Sequence, residues 1–197
     1  MRRLAVLALV AAGLAGCGGG TKQAVPARPL SGFDGTELGV APSADFALRD
    51  QDGRLVRLSA FRGKLVFVTF LYTHCPDVCP LIATRLNTVL HKLGPERAGV
   101  RVLAVSVDPK RDTPAAARRF VRSRALLPQF HFLIGTRREL AGVWRAYRIA
   151  VLPGPKGTVS HSAYTLLLDR QGRRRLLYDA RTRPAAMLHD LRLLGQR

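Results

Sequence analysis

The chain predicts an α/β fold: a mixed β-sheet flanked by helices, with a hairpin at its N-terminal end. Three observations carry this. Apolar, β-branched runs such as Leu65–Tyr72 and Val100–Val107 alternate with segments of helical period. Two turn signals, Asp50-Gln51-Asp52-Gly53 and Asp169-Arg170-Gln171-Gly172, each divide a pair of alternating segments, as in hairpins. Residues 41–197 are enough for one core, and they contain no internal repeat.

Residues 1–16 stand apart from that fold. Arg2 and Arg3 precede an apolar stretch, Leu4–Leu14, that is too short to span a bilayer and ends in small residues, as an export signal does. Leu14-Ala15-Gly16-Cys17 resembles the lipobox of bacterial lipoproteins, which implies that Cys17 is acylated and becomes the first residue of the mature chain. Residues 17–40 hold Gly18-Gly19-Gly20, Pro26, Pro29, Gly32, Gly35 and Gly39 with little periodicity, and read as a flexible tether.

Within 41–197, Asp45–Leu58 forms the first hairpin, and Ser59–Lys64 bends the chain into the buried strand Leu65–Tyr72. The following helix places Ile82, Leu86, Val89, Leu90 and Leu93 on one face and stops at Gly94-Pro95. Val100–Val107 is a second buried strand. Thr113-Pro114 opens a helix running to about Leu126, with proline at its favoured first position. Phe130–Ile134 is a strand, and Arg138–Arg148 a helix carrying Leu140, Val143, Trp144 and Tyr147. Val151–Val159 reads as a Pro/Gly-rich loop. The second hairpin pairs Tyr164–Leu168 with Arg174–Tyr178, and a final helix covers Pro184–Leu194.

The formal charge is +19, and only five of the 32 basic residues are lysine. A basic surface suits a position beside an anionic membrane. Nucleic acid is excluded as a partner, because the arginines are scattered rather than interleaved with stacking aromatics and the chain carries an export signal.

The chemistry concentrates where the central strand turns into a helix, at Thr73-His74-Cys75-Pro76-Asp77-Val78-Cys79-Pro80. Free N–H groups and the helix dipole at such a junction favour thiolate. Cysteines four apart on a helix have Cα atoms about 6 Å apart, within disulfide range, and the same pair could close on one soft metal ion. Cys17 is the only other cysteine. A four-residue disulfide loop stabilises little in a domain with a large core, so stapling explains the pair poorly.

Tyr72-Thr73-His74-Cys75-Pro76-Asp77-Val78-Cys79-Pro80 closely resembles the Sco/SenC family of thioredoxin-like copper-delivery proteins. Two further stretches resemble it independently: Val107-Asp108-Pro109-Lys110-Arg111-Asp112-Thr113-Pro114, and Val159-Ser160-His161-Ser162 followed by Leu166–Asp169. The resemblance implies a thioredoxin-like fold and one copper ion per chain, Cu(I) or Cu(II), bound by Cys75, Cys79 and His161. Thiolates suit Cu(I), and a neutral imidazole completes a trigonal S₂N set. It places Asp108 and Asp112 near the metal, with Asp108 favoured for an indirect role and Asp112 or Thr113 capping the next helix. His74 either tunes Cys75 or faces solvent, while His91, His131 and His189 read as structural or exposed. Implied partners are subunit II of cytochrome c oxidase, whose binuclear site receives the copper, other periplasmic copper carriers and thiol reductants. The implied location is the outer face of the bacterial cytoplasmic membrane, through a lipid anchor.

Three rival functions share the motif. A thiol–disulfide oxidoreductase would use Cys75 and Cys79 as a redox pair. A peroxiredoxin-like peroxidase requires threonine where Tyr72 stands. A copper store would bind without delivery.

Overall fold

The computed structural model describes residues 32–196; the signal segment 1–16, Cys17 and the first part of the tether lie outside the described residues. Ten strands and four α-helices are arranged as a central mixed sheet flanked by helices: β1 (Thr36–Pro42), β2 (Ala47–Arg49), β3 (Leu55–Arg57), β4 (Leu65–Leu71), α1 (Val78–Lys92), β5 (Val100–Ser106), α2 (Pro114–Ser123), β6 (Phe130–Leu133), α3 (Arg137–Ala146), β7 (Val151–Pro153), β8 (Val159–His161), β9 (Tyr164–Leu168), β10 (Arg173–Asp179) and α4 (Pro184–Gly195).

The six-stranded sheet runs β1-β10-β9-β4-β5-β6. β4, β5 and β6 are parallel, because α1 and α2 connect them as crossovers; β9, β10 and β1 continue the sheet antiparallel through a hairpin. All seven residues of β4 are buried, which is why its sequence is a continuous apolar run rather than an alternating one. The predicted stripe on α1 is the buried face: Ile82, Leu86, Val89, Leu90 and Leu93 all enter the core. α4 lies alongside α1.

The first predicted hairpin is present as β2–β3, a two-stranded sheet separate from the central one. Its turn is built by Asp50, whose Oδ1 accepts the N–H groups of Asp52 and Arg54, with Gly53 at φ +81°. The terminal hairpin is β9–β10 in the predicted place.

Two predicted segments are corrected. Thr36–Val40, expected to be tether, belongs to edge strand β1, which pairs with β10 across a register shift. The strand was hidden because its side chains are almost all exposed and Gly39 interrupts it at positive φ. The start of this segment is fastened: the Asp190 carboxylate, fully buried on α4, accepts the N–H groups of Asp34 and Gly35 and the Tyr178 hydroxyl. Gly35 is required there, since a Cβ would stand 2.5 Å from the Tyr178 ring. Phe33 is 1% exposed, so the folded unit begins before residue 41. Val151–Val159, expected to be a loop, contains most of a small hairpin, β7–β8, bridged by a short 3-10 turn at Pro155–Gly157.

Helix ends also move. α2 stops at Ser123 rather than near Leu126, because Ala125 takes φ +45°, and α3 stops at Ala146, with Arg148 at φ +56°. Thr113, not Asp112, caps α2, its hydroxyl accepting from the Ala116 N–H. α3 begins with a reciprocal capping box between Thr136 and Glu139.

Candidate metal centre

Cys75 and Cys79 stand where β4 leaves the sheet and α1 begins. Cys75 precedes the helix, in the turn after β4, rather than occupying its first turn, and Cys79 is the second helical residue. The N-cap, Asp77, supplies no side-chain acceptor, and the Cys75 sulfur takes that place, accepting the Cys79 N–H at 3.4 Å. Both cysteines are free thiols and both are buried, Cys79 completely.

Their acidities are pulled apart. Cys75 is lowered to about 5, chiefly because the Cys79 thiol donates to it, aided by the Asp77 and Cys79 backbone N–H groups and the Tyr72 hydroxyl against the cost of burial. Cys79 is pushed far up, first as the donor in that same hydrogen bond and then by burial. One proton therefore sits between two sulfurs, with negative charge on the outer one, Cys75.

Asp112 holds this turn in place. Its buried carboxylate accepts from the Thr73 N–H at 2.9 Å, the Thr73 hydroxyl at 2.7 Å and the Ser106 hydroxyl at 2.5 Å. Burial raises its pKa, against the lowering effect of those hydrogen bonds. Asp108 faces elsewhere: it pairs with Arg111 at 2.5 Å, while its N–H donates to Ser106 Oγ. Of the two aspartates expected near the site, it is Asp112 whose carboxylate takes both the Thr73 hydroxyl and the Thr73 N–H. His74 is exposed, with Nδ1 2.9 Å from the Thr73 hydroxyl. That hydroxyl donates to Asp112, so His74 Nδ1 is the donor to it.

His161 is the last residue of β8, paired across the small hairpin with Val151. Ser162, next in the chain, exchanges hydrogen bonds with Ala150 and closes the hairpin base. The His161 ring stands edge-on to Tyr72 at 6.0 Å between centroids. Its Nδ1 lies 3.1 Å from the Ser162 carbonyl, which can only accept; Nδ1 therefore carries the proton and Nε2 keeps its lone pair. Burial lowers its pKa, so the imidazole is neutral at neutral pH, and the Cys75 charge acts on it from nearby. The ring is the right tautomer to ligate, though the three donor atoms are not drawn together. Among the described residues, the His/Cys/Asp/Glu trio whose ligand atoms all lie within 4.8 Å of one another is Asp34, His189 and Asp190. There Asp190 already accepts from two backbone N–H groups and Tyr178, as the anchor of β1. His131 bonds Asp50, and His91 is exposed.

Tyr72 is the residue that sequence reasoning missed. It ends the apolar run and opens the family-like motif, and the sequence gives no chemical reason to assign it a site role, yet it links the two halves of the site. Its carbonyl accepts the Cys75 N–H at 3.4 Å, its ring meets His161, and its hydroxyl is near enough to Cys75 for each to act on the other's acidity. Its place at the head of that motif, where a buried strand has just ended, was the available signal. No cis peptide bond occurs among the described residues, in keeping with Ser162-Ala163-Tyr164 at the position where thioredoxins carry cis-proline.

The SCO1/SenC family pattern matches residues 36–195. A mitochondrial SCO2 homolog from Bos taurus is 36% identical over 182 residues, covering 86% of this chain and 66% of its own length. Among solved structures, copper-bound ScoI of Bradyrhizobium japonicum aligns at 34% identity and TM-score 0.70 over 78% of this chain and 99% of that one. Apo Sco1 of Thermus thermophilus aligns at 36% identity and TM-score 0.71 over 82% and 96%. The site is thus set in a thioredoxin-like fold shared with solved Sco proteins, and the chain belongs to the SCO1/SenC family.

Proposed function

We propose that the chain is a copper-exchange protein that takes one copper ion between Cys75, Cys79 and His161 and delivers it to the binuclear copper site of cytochrome c oxidase subunit II. The observation that carries this is the donor set: a thiolate at Cys75 accepting the Cys79 N–H, the Cys79 thiol next to it, and a neutral imidazole with Nε2 free across the Tyr72 ring from them. Soft thiolates favour Cu(I), and imidazole serves either oxidation state. The Bradyrhizobium japonicum ScoI structure, with copper bound, supports the same cargo here. Delivery to the oxidase rests on the family's role as the sequence resemblance implies it. Acylated Cys17 would hold the domain to the outer face of the bacterial cytoplasmic membrane; among the described residues no helix is long and apolar enough to cross a bilayer.

The test is a Cu(I) titration of the reduced full-length chain against a competing chelator, alongside Cys75→Ser and His161→Ala. One tightly bound copper, weakened by each substitution, is expected. Binding that ignores both residues contradicts the site. For delivery, a strain lacking the gene should fail to assemble active oxidase under copper limitation, and normal assembly would refute that role.

The split acidity of the two cysteines favours a second activity at the same site. The Cys75 thiolate could attack a partner disulfide, forming a mixed disulfide and releasing one partner thiolate. Cys79, after losing its proton, would then attack Cys75, closing the Cys75–Cys79 bond and releasing the second partner thiol. Disulfide exchange that survives His161→Ala while copper binding weakens would establish it as a separate activity.

A further inference from the structure

Behind the cysteine turn, on the side formed by α2, lies a cavity of about 210 Å³ that none of Cys75, Cys79 and His161 lines. Thr73 and His74 form one wall, Arg119, Ser123 and Arg124 the other, and Phe120 contributes the apolar floor. No acidic side chain lines it.

Arg124 is fixed in this wall. Its guanidinium carbon stands 3.9 Å over the Phe120 ring, and Nη1 donates to the Phe120 carbonyl at 3.2 Å and the Ser123 hydroxyl at 3.0 Å. Phe120 packs in turn on Phe132 in the core, with ring centroids 5.2 Å apart. A guanidinium has five N–H donors, and capping the end of α2 occupies two of them. Arg119 is exposed, and its side chain has no hydrogen bond or ion pair among the described residues. Arg124 is also close enough to the cysteine turn for the Cys75 charge to act on it.

We propose that this cavity is a carboxylate-binding site, in which Arg119 and Arg124 receive a carboxylate next to the cysteine turn. Planar guanidinium forks match carboxylates in geometry, and a fork already immobilised by stacking loses little further freedom on binding. The carboxylate is either a free small acid or an Asp or Glu side chain of a protein that exchanges copper with this chain. The second source rests on the proposed copper exchange; binding of the free acid does not.

The test is an NMR titration of the reduced, ¹⁵N-labelled full-length chain with citrate, then with acetyl-Glu-Glu-amide, each against potassium chloride at matched ionic strength. Saturable shifts centred on Thr73, His74 and residues 119–124 are expected. Arg119→Gln and Arg124→Gln should each weaken binding roughly tenfold or more, the loss expected of one charged hydrogen-bonding partner. Arg119→Gln, which breaks no side-chain hydrogen bond or ion pair among the described residues, should leave thermal unfolding and Cu(I) affinity unchanged, so failure here is distinguishable from failure of the copper site. Tighter binding of the peptide assigns the site to a partner's acidic side chain, and tighter binding of citrate to a free acid. Shifts reproduced by potassium chloride, or an Arg119→Gln chain that titrates like the parent, would overturn the proposal.

Discussion

The two halves of the metal centre differ in how firmly the fold holds them. The cysteine turn grows from β4, a strand buried along its whole length. Asp112, between the neighbouring strand β5 and α2, grips it, and Cys79 is completely buried. The histidine sits at the base of β7–β8, a two-stranded sheet separate from the central six strands, whose residues are half-buried or exposed. Leu152, on that hairpin, is 61% exposed. Local stability follows buried contacts, so the hairpin is the part that gives way at low cost. In the proposed site the sulfurs would form a prepared seat and the imidazole a third donor on a lighter arm. Such a division suits an ion that must be taken up and surrendered.

The sharpest way to break this comparison is to remove a sulfur. Cys75→Ser or Cys79→Ser should lower Cu(I) affinity, read by chelator competition, by more than the roughly 10–100-fold that loss of an outer partner typically costs. His161→Ala should cost less, on the order of 10–100-fold, and should show mainly as faster copper release in stopped-flow transfer to a chelator. Equal losses from the two substitutions would erase the distinction between seat and arm.

Loosening the seat without touching a ligand comes next. Asp112→Asn keeps the shape but weakens the charged hydrogen bonds to Thr73 and Ser106, and should destabilise the fold by about 1–3 kcal/mol in denaturant unfolding. Copper affinity should fall with it, whereas Asp108→Asn, whose partner is Arg111, should leave affinity unchanged.

The smallest effect concerns acidity. With Cys75 lowered to about 5, the reactive thiolate forms as pH rises through that value, so iodoacetamide alkylation of the reduced chain should climb around pH 5 and level off well below the usual thiol range near pH 9. Tyr72→Phe removes one donor to the thiolate and should move the inflection upward by about one unit or less, since a unit corresponds to about 1.4 kcal/mol. An unchanged inflection would show that Tyr72 does not reach Cys75.

What was legible in the sequence was whatever obeys a period or a spacing. The β4–α1 junction announced itself through a continuous apolar run, a helical stripe and two cysteines four apart, and the structure has all of these. β1 was illegible because an edge strand with exposed side chains has no alternation to read, and its anchoring to Asp190 links residues 155 apart in sequence. β7–β8 escaped because Pro153, Gly154, Pro155 and Gly157 mark a turn, and in a hairpin this short the turn is most of the element. At the site, single residues suggested chemistry but not direction. Two aspartates four apart looked alike, and only the hydrogen bonds of Thr73 and Ser106 to Asp112 show that its carboxylate holds the cysteine turn, while that of Asp108 pairs with Arg111. Tyr72 bridges sheet and hairpin through contacts that no local pattern encodes.

The most direct test is X-ray absorption at the copper edge on the Cu(I)-loaded chain and on His161→Ala. Two sulfur ligands and one nitrogen are predicted for the parent, with the nitrogen alone lost in the variant. A two-sulfur spectrum that His161→Ala leaves unchanged would contradict the account, because copper would then rest on the cysteine turn without the hairpin.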